Sequence, residues 1–517
     1  MISSPLSRRS FLHRALGSSL GLTAVSALTD LRLINHALAQ QTVFPDYKAL
    51  VCIFLDGGND SDNMLVPATG EAYQQYAAGR GGVFSANAAE GGLGLLPVDY
   101  TGALPRVVPL ATRDNPYPFE LGVHSSLAST FANGVPQDGI ARLYNDGKAA
   151  FVANVGVLVE PMTRAQYKGG TRKKPPQLFS HSDQVYQWQT SVPDKITRTG
   201  WGGRMADRPY IFGANSGSPI SMSISLSGTN TWEVGDVIHQ YQLSSSGAAS
   251  LTGTTGGSGS TAVANAARLA AIRDVLALDR MNLAERDYKA VFDRALNNAA
   301  LLSNALSSAD AGSNGSLAWA ASPIGIATAS GTGPLRNNSL ATQLNMVARI
   351  INARHAGLLN MKRQIFFVRI GGFDTHSTQR DTHANNLLKP LSDAVWAFQQ
   401  TLEKMNAASG VTGFTISDFG RTFKNNDTGL TAGSDHGWGA HHVVFGGAVR
   451  GGRIYGTFPS LLVNGPDDTS DGRWIPTTST DEFGATLARW FGVTDPDLTT
   501  IFPNLPRFAS SNLGFVG

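Results

Sequence analysis

The sequence predicts an α/β fold: a mainly parallel central sheet with helices on both faces, three layers in all, and an inserted cap region. Three observations carry this expectation. Short apolar runs without alternation recur along the chain, as strands covered on both faces require. Between them lie stretches with apolar residues at three- and four-residue spacing, the mark of amphipathic helices. Glycine or polar punctuation follows each run, which gives the strand–helix alternation its tight loops.

The N-terminus precedes that pattern. "SRRSFL" (7–12) sets two arginines before a weakly apolar run, "ALGSSLGLTAVSAL", and "ALA" at 37–39 offers a small-x-small cleavage pattern. Residues 1–39 therefore read as a twin-arginine signal, so the translocase of that route is an expected partner. The expected destination is periplasmic or extracellular. The run is too short and too rich in Gly, Ser and Thr to span a bilayer, and no later segment offers about 18 uninterrupted apolar residues. Without Arg8, Arg9, Arg14, Arg32 and Asp30, the 41 basic and 38 acidic side chains become 37 of each. A neutral chain without a basic block is a poor candidate for nucleic acid.

Residues 40–517 read as one domain. The expected strands are "ALVCIFLDGG" (49–58), "AAFVANVGVL" (149–158), "QIFFVRIGG" (364–372), "VTGFTISDFG" (411–420) and "HVVFGGAV" (442–449). Cys52, the one cysteine, lies in the first and reads as a core residue; no intrachain disulfide is possible. Helices are expected over 339–359 and 386–405, and one or two long ones over 262–308. The Gly/Ser/Thr-rich stretch 244–261 reads as a flexible surface loop within an insertion at about 205–335.

In open parallel sheets, ligands gather beyond the carboxyl ends of the strands. There the sequence places Asp56, Asp60 and Asp62 after the first strand, and Asp374 and His376 in "GGFDTHS". Asp418 and Arg421 lie in "SDFGRT", and Asp435, His436, His441 and His442 in "SDHGWGAHH". Taken singly, Asp and Asn in glycine-rich turns commonly bond their own backbone, and Asp-x-His can cap a helix. Together, carboxylates mixed with imidazoles point to a divalent-metal site, for Zn, Mn or Fe rather than Ca or Mg. Ser180 and His181 precede an expected helix, where a hydroxyl is either an N-cap or a nucleophile facing an anionic centre.

These motifs, in this order, resemble a bacterial family of twin-arginine-exported proteins known as domain of unknown function 1501. That family is held to share the alkaline phosphatase–sulfatase fold, whose members hydrolyse phosphate or sulfate monoesters with one or two metals. The resemblance implies metal ligands at Asp60, Asp374, His376, Asp418, Asp435, His436 and His442, with His441 as an alternative to His442. Asp374 and His376 resemble the superfamily's Asp/His pair, although one residue separates them rather than three. Ser180 and His181 match the family's "SHS" segment as nucleophile candidates, and Arg421 is the expected holder of the ester's non-bridging oxygens. The expected activity is hydrolysis of small-molecule or polymer-borne phosphate or sulfate esters. The alternative is a non-catalytic exported protein that uses the scaffold for binding or assembly at the cell surface. A Ser/His/Asp esterase is disfavoured, because no Gly-x-Ser-x-Gly elbow is present.

Overall fold

The computed structural model describes residues 44–517 apart from 88, 249–250, 279–281, 331–332 and 356. The expected signal, residues 1–39, lies outside the described residues. Nine strands form the main sheet: β1 (Lys48–Asp56), β2 (Ala149–Gly156), β3 (Ser223–Ser225), β4 (Tyr241–Gln242), β5 (Arg363–Gly371), β6 (Val411–Ser417), β7 (Ala440–Gly446), β8 (Ile454–Gly456) and β9 (Thr478–Ser479). Their order is β8-β2-β7-β6-β1-β5-β3-β4, with β9 also beside β2. Every pairing is parallel except those of β7, which runs antiparallel to both β6 and β2. The architecture is thus mixed α/β on a large, mainly parallel sheet.

Alternation along β1 divides the interior in two. Ala49, Val51, Ile53 and Leu55 enter one core, with the helices Ser339–Asn352 and Lys389–Lys404. Leu50, Cys52 and Phe54 enter the other, with Trp188, Trp201, Phe483 and their helices. Successive strand residues point to opposite faces, so a strand buried on both sides shows no polar alternation. Each fully buried Leu, Ile, Val or Phe contributes roughly 1.5–3 kcal/mol. Cys52 is wholly buried, which pushes its thiol pKa well up; a packing role is consistent with that.

The expected 386–405 helix is Lys389–Lys404, preceded by a π segment over Thr382–Leu388 and a helical turn at Gln379–Asp381. The long Ala/Leu-rich stretch forms two helices, Gly259–Ala277 and Leu283–Asp310. The stretch read as an insertion starts inside the helix Trp201–Ile211 and supplies β3 and β4, so the two long helices are what depart from the sheet pattern. The loop before them is tied down by Asn265, whose Nδ2 donates to the carbonyls of Thr255 and Gly256 at 3.0 Å each. Among the described residues, no helix is long and apolar enough to cross a membrane.

Candidate metal centre

Because β1, β5 and β6 run parallel, their carboxyl ends share one edge of the sheet. The antiparallel β7 begins at that same edge, so the whole 418–439 connection stays there. Two glycines let the loops press together. At Gly57 (φ +116°) a Cβ would lie 2.4 Å from the Asp374 nitrogen, and at Gly433 one would lie 2.2 Å from the His376 carbonyl carbon. No side chain fits either place.

Four donor atoms meet there. His436 Nε2 is 2.9 Å from His376 Nε2 and 3.1 Å from His181 Nε2. Asp374 Oδ1 stands 3.1 Å from His376 Nε2, 3.4 Å from His436 Nε2 and 3.5 Å from His181 Nε2. His181, Asp374 and His436 alone already place one ligand atom each within 4.8 Å of one another. His181 arrives from the first residue of the helix His181–Thr190, the other three from loops at the strand ends.

The opposite ring nitrogens are all occupied. His181 Nδ1 lies 2.7 Å from Asp418 Oδ2, His376 Nδ1 3.0 Å from Asp435 Oδ1, and His436 Nδ1 2.7 Å from the Phe179 carbonyl. A carbonyl or carboxylate oxygen only accepts, so each neutral ring carries its proton on Nδ1. Three bare Nε2 lone pairs then face one another and a carboxylate. An arrangement with its protons turned outward leaves inner lone pairs that a cation could share. Ligands about 2.0–2.2 Å from a tetrahedral zinc stand roughly 3.3 Å apart, and the separations among His181, Asp374 and His436, 3.1, 3.4 and 3.5 Å, bracket that value. The residues fit a divalent metal, and imidazole with one carboxylate suits Zn, Mn or Fe.

Electrostatics support the same arrangement. Burial works against ionising Asp374, but the 2.8 Å bond and the charge of Arg421 outweigh it and hold its pKa below the ordinary value. Burial, aided by the nearby Arg421 charge, lowers the pKa of His436 against the opposing Phe179 bond, which favours the neutral ring a metal needs. For Asp435, Asn426 and His376 outweigh burial and lower the pKa. Asp418 is raised by its burial, even though the Gly57 amide donates to its Oδ1 at 3.0 Å.

The residues expected from sequence thus separate into three groups. Asp374, His376 and His436 converge directly, and His181, expected beside a nucleophile, converges with them. Asp418 and Asp435 lie behind, each holding an imidazole. Arg421 is buried, its Nη atoms bonded to Gly57 O, Asp374 and Ser434 O, so it braces the centre from within. Three stand apart. Asp60 is buried against Arg80 and Gln379. His442 packs on Trp188 and Phe483, its ring nitrogens without hydrogen-bond partners among the described residues. Ser180 Oγ donates to Asp183 at 2.6 Å; Ser180 stands at the N-cap position but makes no cap bond with its side chain. His441 turns the other way, 3.6 Å from Asp62 and stacked on Phe458. Nor does Asp374 or His376 cap the helical turn that follows, whose N-cap is Thr378.

Sequence reasoning missed the Phe179 carbonyl and Gln379. The first is a backbone atom and carries no sequence signal. For Gln379 the one available signal was its place three residues after the "DTH" motif.

A family profile described as "Protein of unknown function (DUF1501)" matches residues 47–501. No curated protein matches the chain.

Proposed function

We propose, for a chain that belongs to the DUF1501 family, that it is an exported, metal-dependent hydrolase of phosphate or sulfate esters on an alkaline-phosphatase-like scaffold. The observation that carries this reading is the set of three imidazoles whose outer nitrogens are all tethered while their inner nitrogens meet Asp374. A divalent ion held by His181, Asp374, His376 and His436 would polarise an ester oxygen and lower the pKa of an attacking water. Asp418 and Asp435 keep two of the rings in the right tautomer, and Arg421 fixes the carboxylate of Asp374. Water is favoured as nucleophile, because the Ser180 hydroxyl is engaged by Asp183. The twin-arginine translocase would deliver the folded protein to the periplasm or beyond.

The test is metal analysis of natively exported protein, with His436→Ala beside it, followed by a screen of phosphate and sulfate esters. About one equivalent of metal, lost in the variant, together with ester turnover, supports the reading; a metal-free wild type sinks it. Metal without turnover favours a scaffold for binding or assembly at the cell surface. The exposed Val263, Leu283, Tyr288 and Val291 of the two long helices offer contact surface for such a role.

A further inference from the structure

A single buried amide ties together the two loops that carry most of the donors. Gln379 is fully buried at the start of the helical turn Gln379–Asp381. Its Oε1 accepts from Thr375 Oγ1 at 3.1 Å and from Ser434 Oγ. Thr375 lies between Asp374 and His376, and Ser434 immediately precedes Asp435 and His436. Alongside, the Ser434 amide donates to the Thr375 carbonyl at 3.2 Å. One oxygen atom therefore joins the loops whose imidazoles meet at 2.9 Å.

The amide is itself held. Its Nε2 donates to Asp60 Oδ2, which also accepts from Arg80 Nη2. A carboxylate only accepts, so the amide nitrogen must face Asp60 and the amide oxygen must face the two hydroxyls. Arg80 Nη1 donates to the carbonyls of Thr422 and Phe423 at 3.2 and 2.9 Å, in the stretch that carries Arg421. Arg421 closes the circuit by bonding Asp374 and the Ser434 carbonyl. Arg80, Asp60, Gln379, Thr375, Ser434 and Arg421 are all buried. In so buried a network, removing one partner leaves its neighbours with unsatisfied polar groups.

We infer that Gln379, fixed by Asp60, is a positioning residue for the metal centre, setting the distance between the Asp374/His376 loop and the Asp435/His436 loop. The inference rests on the metal reading above. It gives Asp60, expected from the sequence as a ligand, a supporting part behind Gln379 instead.

The experiment uses the full chain, stripped of metal and titrated with Co²⁺, following the visible ligand-field bands and the Kd by chelator competition. A residue that only supports the fold would move the melting temperature of the metal-free protein and leave bands and Kd alone. Gln379→Met keeps the volume and removes the amide; it is expected to weaken Co²⁺ binding by about 10–100-fold and to change the bands. Gln379→Glu keeps an acceptor for the two hydroxyls but sets a carboxylate against Asp60, and is expected to weaken Co²⁺ binding as well. Wild-type bands and Kd in a folded Gln379→Met protein overturn the inference. If that variant does not fold, Ser434→Ala and Thr375→Val each remove one of the two hydroxyls. Weakened binding in either supports the inference, and wild-type behaviour in both overturns it. A wild-type chain that binds neither Co²⁺ nor Zn²⁺ overturns the metal reading itself, a result distinct from all of these.

Discussion

The Nε2 atoms of His376 and His436 face one another at 2.9 Å, while each ring bonds a fixed oxygen through Nδ1, Asp435 for the first and Phe179 for the second. Two lone pairs so placed repel, and a cation between them would relieve that repulsion.

Metal should therefore stabilise the fold markedly. Zinc at a free concentration 100 times its Kd is expected to add about 2.7 kcal/mol, read as a higher melting temperature. His436→Ala should lose that gain. A melting temperature indifferent to zinc, manganese and iron alike would argue against the site.

The carboxylates behind the rings should matter nearly as much as the donors. Asp418→Ala removes the partner of His181 Nδ1 and is expected to weaken metal binding by about 10–100-fold, measured by chelator competition. Asp418→Asn keeps an accepting oxygen and should lose less. Equal affinities in all three proteins would show that His181 is oriented by something else.

Ser180→Ala separates the two nucleophiles. With its hydroxyl already donated to Asp183 at 2.6 Å, the serine is expected to be dispensable: metal content unchanged and ester turnover within a few-fold of wild type. Metal retained with turnover abolished would instead make Ser180 the attacking group.

A pH effect on stability is expected well away from the centre. Burial pushes the Glu233 carboxyl up to about 8, against the opposing bonds from Gln240 and Asn230. In the unfolded chain a glutamate ionises near 4.3. Between those values the folded protein holds a proton that the unfolded chain has released. Stability contributed by this group is therefore present at low pH and falls as pH rises through that window. Glu233→Gln should flatten the decline in melting temperature between pH 5 and 8 by its own share, about 1 kcal/mol or more. Asp62 and Asp481, pushed up by burial to about 8 and about 7, would retain theirs. An unaltered profile would place the titration elsewhere.

Five strands were legible because burial on both faces leaves an unbroken apolar run, as "ALVCIFL" shows. The direction of β7 was not, since such a run reads the same either way, and β3, β4, β8 and β9 are too short to leave a pattern. At the site, the right loops were visible but not the ranks of their residues. His441 and His442 are neighbours at the start of a strand, so their rings leave on opposite faces, and neither joins His436. Asp60 looked like a ligand because its partner Arg80 lies 20 residues on, beyond any local motif. His181 stood out in the sequence beside Ser180, yet nothing in its segment tells of Asp418, 237 residues away.

The pairing of β1 has a consequence for how the chain matures. Lys48 is in register with Arg363, and Ala49 with Val411, so the first strand to be synthesised waits for partners that emerge more than 300 residues later. Contacts so distant in sequence close slowly, because the intervening chain must be ordered first. A nascent polypeptide released before β7 lacks a neighbour for β6, and one released before residue 436 lacks a donor. The proposed centre is therefore short of His436 in any product that ends within about the first four-fifths of the chain.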